Sequence, residues 1–264
     1  MVGGGPTGVE TAGALTAMAR ELAGPGVSLQ VILVEAAPRL LSAFSAHSSR
    51  IALADLRRRG VDVRLGQSVQ AADARQVTLS GGEQIRAGTV IWAAGVKPNG
   101  LSHGLGLELG THGRIGVNSR LRVADHPDVF AVGDVAAVTQ PPSGQPLPML
   151  APVAIQTGRH AGRQVARLIK GKPLTAFRYR DKGVMAVLGR GDAVAELPLL
   201  PGPPGRYQLR VGGRLAWLLW LGVHGHGPGS VQTPEHAEGS KTRMAATLLR
   251  PGPSGRRNTW PGWK

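Results

Sequence analysis

The chain has 264 residues, enough for one large domain or two smaller ones with real cores. Its 31 Lys+Arg against 16 Asp+Glu leave a formal net charge of +15. The absence of cysteine excludes disulfides, thiolate metal sites and any C-x-x-C redox pair within the chain.

The first ten residues are Met-Val-Gly-Gly-Gly-Pro-Thr-Gly-Val-Glu. Gly3, Gly5 and Gly8 fit the G-x-G-x-x-G spacing, which normally leaves a buried parallel strand and enters a helix. Val9 to Leu22 reads as that helix, and Gly24-Pro25-Gly26 stops it. Leu29 to Val34 is a short β-branched run, read as a buried parallel strand that ends in Glu35. Ser45 to Arg59 reads as a second helix with Gly60 as its cap. Val61 to Leu65 alternates as a strand. Val69 to Leu79, a Gly81-Gly82 turn and Gln84-Ile85 read as an antiparallel ribbon. Thr89 to Ala94 is another buried strand. Strand and helix alternate through this stretch, so residues 1–96 are expected to form a doubly wound α/β domain of Rossmann type.

Residues 98–127 are turn-rich. Val129 to Val132 reads as a strand that delivers Gly133-Asp134 and then a small-residue helix start. Gln140 to Pro148 is a loop, and Ala151 to Lys170 is helical. Val184 to Leu188 and Tyr207 to Val211 look like strands, and Leu215 to Leu221 is apolar. From Gly225 onward Gly, Pro, Ser, Arg and His prevail with little periodicity, a composition expected to stay disordered. No apolar run reaches the roughly 20 residues that span a bilayer.

Gly residues in the opening loop let the backbone approach a pyrophosphate, and the helix N-terminus offers free N–H groups and a positive dipole end. An ordinary Gly-rich turn is the alternative. Glu35 at the end of the next strand favours the nucleotide: a carboxylate there accepts hydrogen bonds from both ribose hydroxyls and repels a 2′-phosphate, so NAD(H) is expected rather than NADP(H). Arg39 is read as solvent-exposed. Glu10 suits the first helical turn by charge alone, or serves as a carboxylate at the nicotinamide end. Asp134 is either a helix N-cap or a ligand group at the exit of a parallel sheet. The arginines are scattered, Arg57-Arg58-Arg59 suits a helix C-terminus, and aromatic residues are scarce, so no nucleic acid is expected. An anionic membrane surface is a better match to the charge. The histidines His224, His226 and His236 are not read as a metal site.

Gly3 to Glu10, Val34-Glu35-Ala36, Ile91-Trp-Ala-Ala-Gly-Val96, Phe130-Ala-Val-Gly-Asp134 and Ala151-Pro-Val-Ala-Ile-Gln156 occur in this order. Together with Trp217-Leu-Leu-Trp-Leu-Gly-Val-His224, they resemble the C-terminal portion of the type II NADH dehydrogenases. These are single-subunit NADH:quinone oxidoreductases among the two-dinucleotide-binding-domain flavoproteins. The resemblance covers roughly residues 1–224. It implies an NAD(H)-binding domain over 1–96, part of an FAD-binding domain over 97–175, and a small α+β region with an apolar membrane-facing segment over 176–224. It implies NADH and FAD as cofactors and quinone as acceptor. Gly3, Gly5, Gly8 and Glu35 would hold NADH, Asp134 would hydrogen-bond the ribitol–phosphate region of FAD, Gly95 and Gly133 would be cofactor-binding, and Glu10 and Gln156 would lie near the nicotinamide–flavin and flavin–quinone contacts. It also implies a peripheral place on the inner face of the cell membrane, with a homodimer as the family precedent.

The family carries an earlier glycine fingerprint and further apolar and basic helices after the Val-His motif. The chain is therefore expected to be truncated at its start and shifted out of frame near His224, with 225–264 as an aberrant tail. The alternative expectation is a catalytically incomplete fragment that binds NAD(H) but not FAD.

Overall fold

A computed structural model of the chain describes residues 1–22, 29–140, 144–199 and 208–225. The helix stop at 24–26 and all but the first residue of the 225–264 tail lie outside the described residues. The described chain forms two compact units, Met1–Gly95 continued from Gly183, and Val96–Lys182.

In the first unit, α1 (Pro6–Leu22) follows the glycine loop, and β1 (Ile32–Glu35) returns. Helix α2 (Ala46–Arg58) leads to β2 (Asp62–Leu65). Strands β1 and β2 pair in parallel, with Glu35 opposite Leu65. Val2 bridges in parallel to Val34 on one side and to Trp92 on the other. The parallel order is thus β2, β1, Val2, Trp92, with α1 and α2 as crossovers, which is the doubly wound pattern. The full strand expected over 89–94 is a single rung here. Among the described residues only Val2 pairs with it, through Val2 N to Ile91 O at 2.9 Å and Ala93 N to Val2 O at 2.7 Å. Gly3 then turns the chain away with φ +105°. The ribbon is a three-stranded antiparallel meander, β3 (Val69–Ala72), β4 (Gln76–Leu79) and β5 (Gln84–Arg86).

Ser45 caps α2: its Oγ accepts from Ser48 N at 3.3 Å. The arginines after it are tied into the fold. Arg59 Nε meets Asp55 at 2.6 Å, and Arg59 Nη2 meets Asp192 at 2.6 Å. Arg58 also pairs with Asp55.

The second unit is built from short ladders. β6 (Ile115–Gly116) pairs in parallel with β9 (Ala136–Ala137), and β7 (Arg122–Val123) pairs antiparallel with β8 (His126–Phe130). Ile115, Leu121, Val123, Ala131, Ala136, Val138 and Phe177 form its core. The strand expected at 129–132 belongs to the antiparallel β7–β8 pair. The helix start expected after Asp134 is instead one 3-10 turn, Gly133–Val135, because Ala136 is already extended and enters the pairing with β6. Helix α3 (Ala151–Ile169) follows.

Residues 173–182 run beside α3 without regular secondary structure. Their main chain is satisfied by glutamine side chains. Gln164 Oε1 accepts Thr175 N at 2.8 Å, Gln140 Nε2 donates to Phe177 O at 3.0 Å, and Gln140 Oε1 accepts Tyr179 N at 3.1 Å. Gln156 completes the set at Arg180. Carboxamides here do what a neighbouring strand would otherwise do.

From Gly183 the chain returns to the first unit. β10 (Val184–Gly189), β11 (Asp192–Pro198) and β12 (Gln208–Gly212) form an antiparallel sheet in that order, and α4 (Gly213–Gly225) follows. Strand β11 was not expected from the sequence. Gly13 lets α1 lie against β10: a Cβ there would stand 2.0 Å from Leu188 O. Leu188, Val194 and Ala186 join Val9, Leu33 and Leu56 in one core. Each fully buried aliphatic side chain there contributes about 1.5–3 kcal/mol. Among the described residues, no helix is long and apolar enough to cross a membrane.

Candidate nucleotide site

The loop that starts at Gly3 joins Val2, the bridge between β1 and Trp92, to α1. Its glycines do different work. A Cβ on Gly3 would lie 2.5 Å from Ala93 O, and one on Gly8 would lie 1.8 Å from Gly3 O. Both positions are closed by main chain, so these two glycines let the strand, loop and helix pack together. At Gly5 nothing lies within 4 Å of a built Cβ. That position faces open space at the head of a 17-residue helix. Pro6 has no N–H to donate, Val9 N donates to Gly5 O at 3.0 Å, and the intervening first-turn N–H groups have no intrahelical acceptor. The result is a concentration of donors and positive dipole beside an empty approach.

Glu35 ends β1 next to this loop. Its Oε2 accepts the N–H of Gly4, and its Oε1 accepts Ala37 N at 2.7 Å. A carboxylate oxygen can accept more than one hydrogen bond, so both remain competent acceptors. Gly4 is confined as well: a Cβ would meet Leu40 Cδ2 at 2.6 Å and Glu35 Oε2 at 2.9 Å. Arg39 is partly buried rather than solvent-exposed, and it is committed to main chain, with Nη1 to Phe44 O and Nη2 to Ser42 O both at 2.7 Å. It rigidifies the turn after Glu35. Glu10 reaches the late sheet, where its Oε1 accepts Val187 N at 3.2 Å. Gly95 has φ +106° and open space at its Cβ position.

In the second unit, Gly133 (φ +67°) and Asp134 form the 3-10 turn. Thr157 of α3, fully buried, holds it: its Oγ1 accepts Gly133 N at 3.0 Å and donates to Val153 O at 2.8 Å. Arg114, 5 % exposed, donates Nη1 to Leu147 O at 2.9 Å and Nη2 to Ala136 O. Burial pushes its pKa down, and the negative charge of Asp134 partly offsets this. Asp134 itself is exposed. Gln156 spends both ends of its carboxamide on the main chain of Arg180, as Nε2 to O and as Oε1 from N, each at 3.0 Å.

The structure therefore brings the Gly3–Gly8 loop and Glu35 together. Asp134, Gly133 and Gln156 lie in the other unit. Thr157 and Arg114 were not singled out from the sequence. Thr157 carried no signal beyond its place one turn after Val153, and a buried arginine in a turn-rich segment looks like any surface cation.

A family model for pyridine nucleotide-disulphide oxidoreductases matches residues 1–158. The chain is 31% identical over 231 residues to a type II NADH:quinone oxidoreductase of Haemophilus influenzae, covering 85% of this chain and 51% of that protein. The chain spans about half the length of the curated relatives it matches. Among solved structures, an FAD-dependent pyridine nucleotide-disulphide oxidoreductase from Desulfovibrio vulgaris matches with a TM-score of 0.58 and 28% identity, covering 75% of this chain and 48% of that one. NDH2 from Plasmodium falciparum, solved with NADH, matches in fold with a TM-score of 0.71 at 17% identity, covering 84% of this chain and 60% of that one. The chain belongs to the pyridine nucleotide-disulphide oxidoreductase family.

Proposed function

We propose that this chain serves an NADH:quinone oxidoreductase that works through FAD, and that Gly3 to Gly8 with Glu35 form its NADH site. The observation that carries the reading is the open Cβ position at Gly5, set between two glycines closed by main chain. A pyrophosphate has room to approach at that residue and at the first-turn donors. Glu35, fixed from both sides by Gly4 and Ala37, would accept the adenosine ribose hydroxyls. Its charge would disfavour a 2′-phosphate.

The residues also suit FAD. Asp134 presents an exposed acceptor-only carboxylate on a turn pinned by Thr157, and buried Arg114 adds positive charge beneath that turn. Asp134 would accept hydroxyls of the ribitol–phosphate region, and Gly133 permits the turn. FAD supplies the two-electron chemistry between NADH and quinone when it is bound. Glu10 would set the charge near the nicotinamide end while bracing β10. Gln156 would place the 177–182 segment on the quinone side through its grip on Arg180. The apolar residues Leu215, Leu218 and Leu221 of α4 are exposed and follow one another at helical spacing. They would meet the inner face of a membrane, with the cationic surface favouring anionic lipid. The domain assignments expected from the sequence, NAD(H) over 1–96 and FAD over 97–175, are kept as part of this proposal.

The test is to purify the chain, add FAD, remove the excess and record the visible spectrum. Stoichiometric flavin with NADH-dependent reduction of menadione supports the reading. NADH binding without flavin uptake reduces it to a nucleotide-binding chain. Failure to bind NADH overturns it.

A further inference from the structure

The second unit holds a groove of about 840 Å³ between α3 and the 175–182 segment. Six cations line it: Arg159, Arg163, Arg167, Arg178, Arg180 and Lys182. No acidic residue does. On α3 the arginines recur every four residues, which stacks them along one side of the helix. On the facing segment residues 178, 180 and 182 line the groove while 179 and 181 do not, the alternation of a strand. The two walls thus carry matched charge repeats of about 6 Å along the helix and about 6.6 Å along the segment.

The wall positions are fixed. Gln156 and Gln164 clamp the segment to α3, and His160 Nε2 lies 3.1 Å from Thr175 O, with its ring edge-on to Phe177. Arg167 Nε donates to Pro173 O at 2.7 Å. Among the described residues, none of the six cations makes an ion pair with a carboxylate. Other arginines of this chain do, at Asp55, Asp62 and Asp192. Two facing rows of unneutralised charge repel each other, and an anion between them removes that cost.

We propose that this groove is a binding site for a linear oligophosphate. Guanidinium forks pair well with phosphate oxygens, and two parallel rows suit a chain of charges rather than one ion. A single-stranded nucleic acid fits less well, because the rings that line the groove, His160 and Phe177, are both buried and offer no stacking face. A lipid surface fits less well, because the cations line a concavity rather than a convex face. The proposal does not depend on the NADH reading, and the groove does not include Gly3 to Gly8 or Asp134.

The experiment is calorimetric titration of the full chain with inorganic tripolyphosphate, with saturating NADH present to occupy the glycine loop. Saturable binding is expected, at least about tenfold tighter than for orthophosphate. The pairs Arg163→Gln with Arg180→Gln, and Arg159→Gln with Arg178→Gln, should each weaken it about tenfold or more, with circular dichroism unchanged. The control pair Arg57→Gln with Arg75→Gln, which keeps the groove and lowers the net charge equally, should leave it within about twofold. Equal weakening by the control pair overturns the proposal, since the effect is then generic charge. So does absence of saturable binding. Tighter binding to an oligothymidylate, or to phosphatidylglycerol vesicles with none to tripolyphosphate, also overturns it. If one groove pair fails to fold, the other decides.

Discussion

The main-chain N–H of Gly4 donates to Oε2 of Glu35, so the glycine loop and the strand-end carboxylate are one hydrogen-bonded structure. The group that would read the ribose is held by the loop that would read the pyrophosphate. Positioning costs are thereby met before any nucleotide arrives.

Glu35→Gln should separate these two roles. The amide keeps one acceptor oxygen for the loop but loses the charge and the second acceptor. NADH affinity should fall about tenfold, and the preference for NADH over NADPH should shrink, because the repulsion of a 2′-phosphate is gone. Fluorescence titration with both nucleotides measures this. An unchanged ratio would mean that the carboxylate serves the loop alone.

Gly5→Ala and Gly8→Ala should behave oppositely. A Cβ on Gly8 would lie 1.8 Å from Gly3 O, so the variant should lose more than about 3 kcal/mol of stability or fail to fold. A Cβ on Gly5 meets nothing within 4 Å. That variant should unfold within about 0.5 kcal/mol of the parent yet bind NADH at least about tenfold more weakly, because its methyl occupies the approach to the pyrophosphate. Thermal melts and NADH titration on the same samples give both readouts.

The first unit was legible because its signals are local. Glycine spacing, an apolar run ending in an acid, and a serine cap before a periodic helix each act within a few residues, and α1, β1 and α2 lie where the sequence put them to within a few positions. The second unit was less so. Its ladders are two to five residues long, too short for a period to show. The sequence at Gly133–Val135 suits a helix start and a turn equally, and pairing of Ala136 with β6 decides for the turn. Strand β11 was missed because Asp192 to Pro198 carries Ala and Glu, weak strand formers that become buried through contact with α2 and α4. The glutamine clamps were invisible because they join residues 11 to 39 positions apart.

Glu196 gives a pH prediction. It is 3 % exposed and accepts Ser45 N at 2.8 Å and Ser48 Oγ at 2.6 Å, tying β11 to the cap of α2. Burial raises its pKa, but the hydrogen bonds from Ser45 and Ser48, with the charge of Arg210, outweigh it and leave the pKa below the ordinary 4.5. The folded value is depressed, so the stabilisation is complete above about pH 4.5 and fades as pH falls through the lowered value. Glu196→Gln should be less stable than the parent by about 1 kcal/mol at pH 7, and the gap should close in acid. Urea unfolding at pH 7 and near pH 3.5 checks this, and a gap independent of pH would show that charge plays no part.

The strap beside α3 gives the last prediction. Gln164 is 2 % exposed, its Oε1 accepts Thr175 N at 2.8 Å, and its Nε2 donates to Thr175 Oγ1 at 3.0 Å. Gln164→Ala removes both bonds and leaves a void, at a cost of about 2 kcal/mol. The main chain of 175–182 then loses one of its three carboxamide anchors, and because no strand lies beside it, nothing else takes up Thr175 N. Trypsin should cleave after Arg178 and Arg180 faster than in the parent, while cleavage after Arg57 stays the same. Gln164→Glu is the informative companion. It keeps the acceptor for Thr175 N, and the Thr175 hydroxyl can rotate to donate to the new carboxylate. Cleavage should therefore stay near the parent rate in Gln164→Glu and rise in Gln164→Ala, and equal rates in the two variants would show that packing rather than hydrogen bonding holds the strap in place.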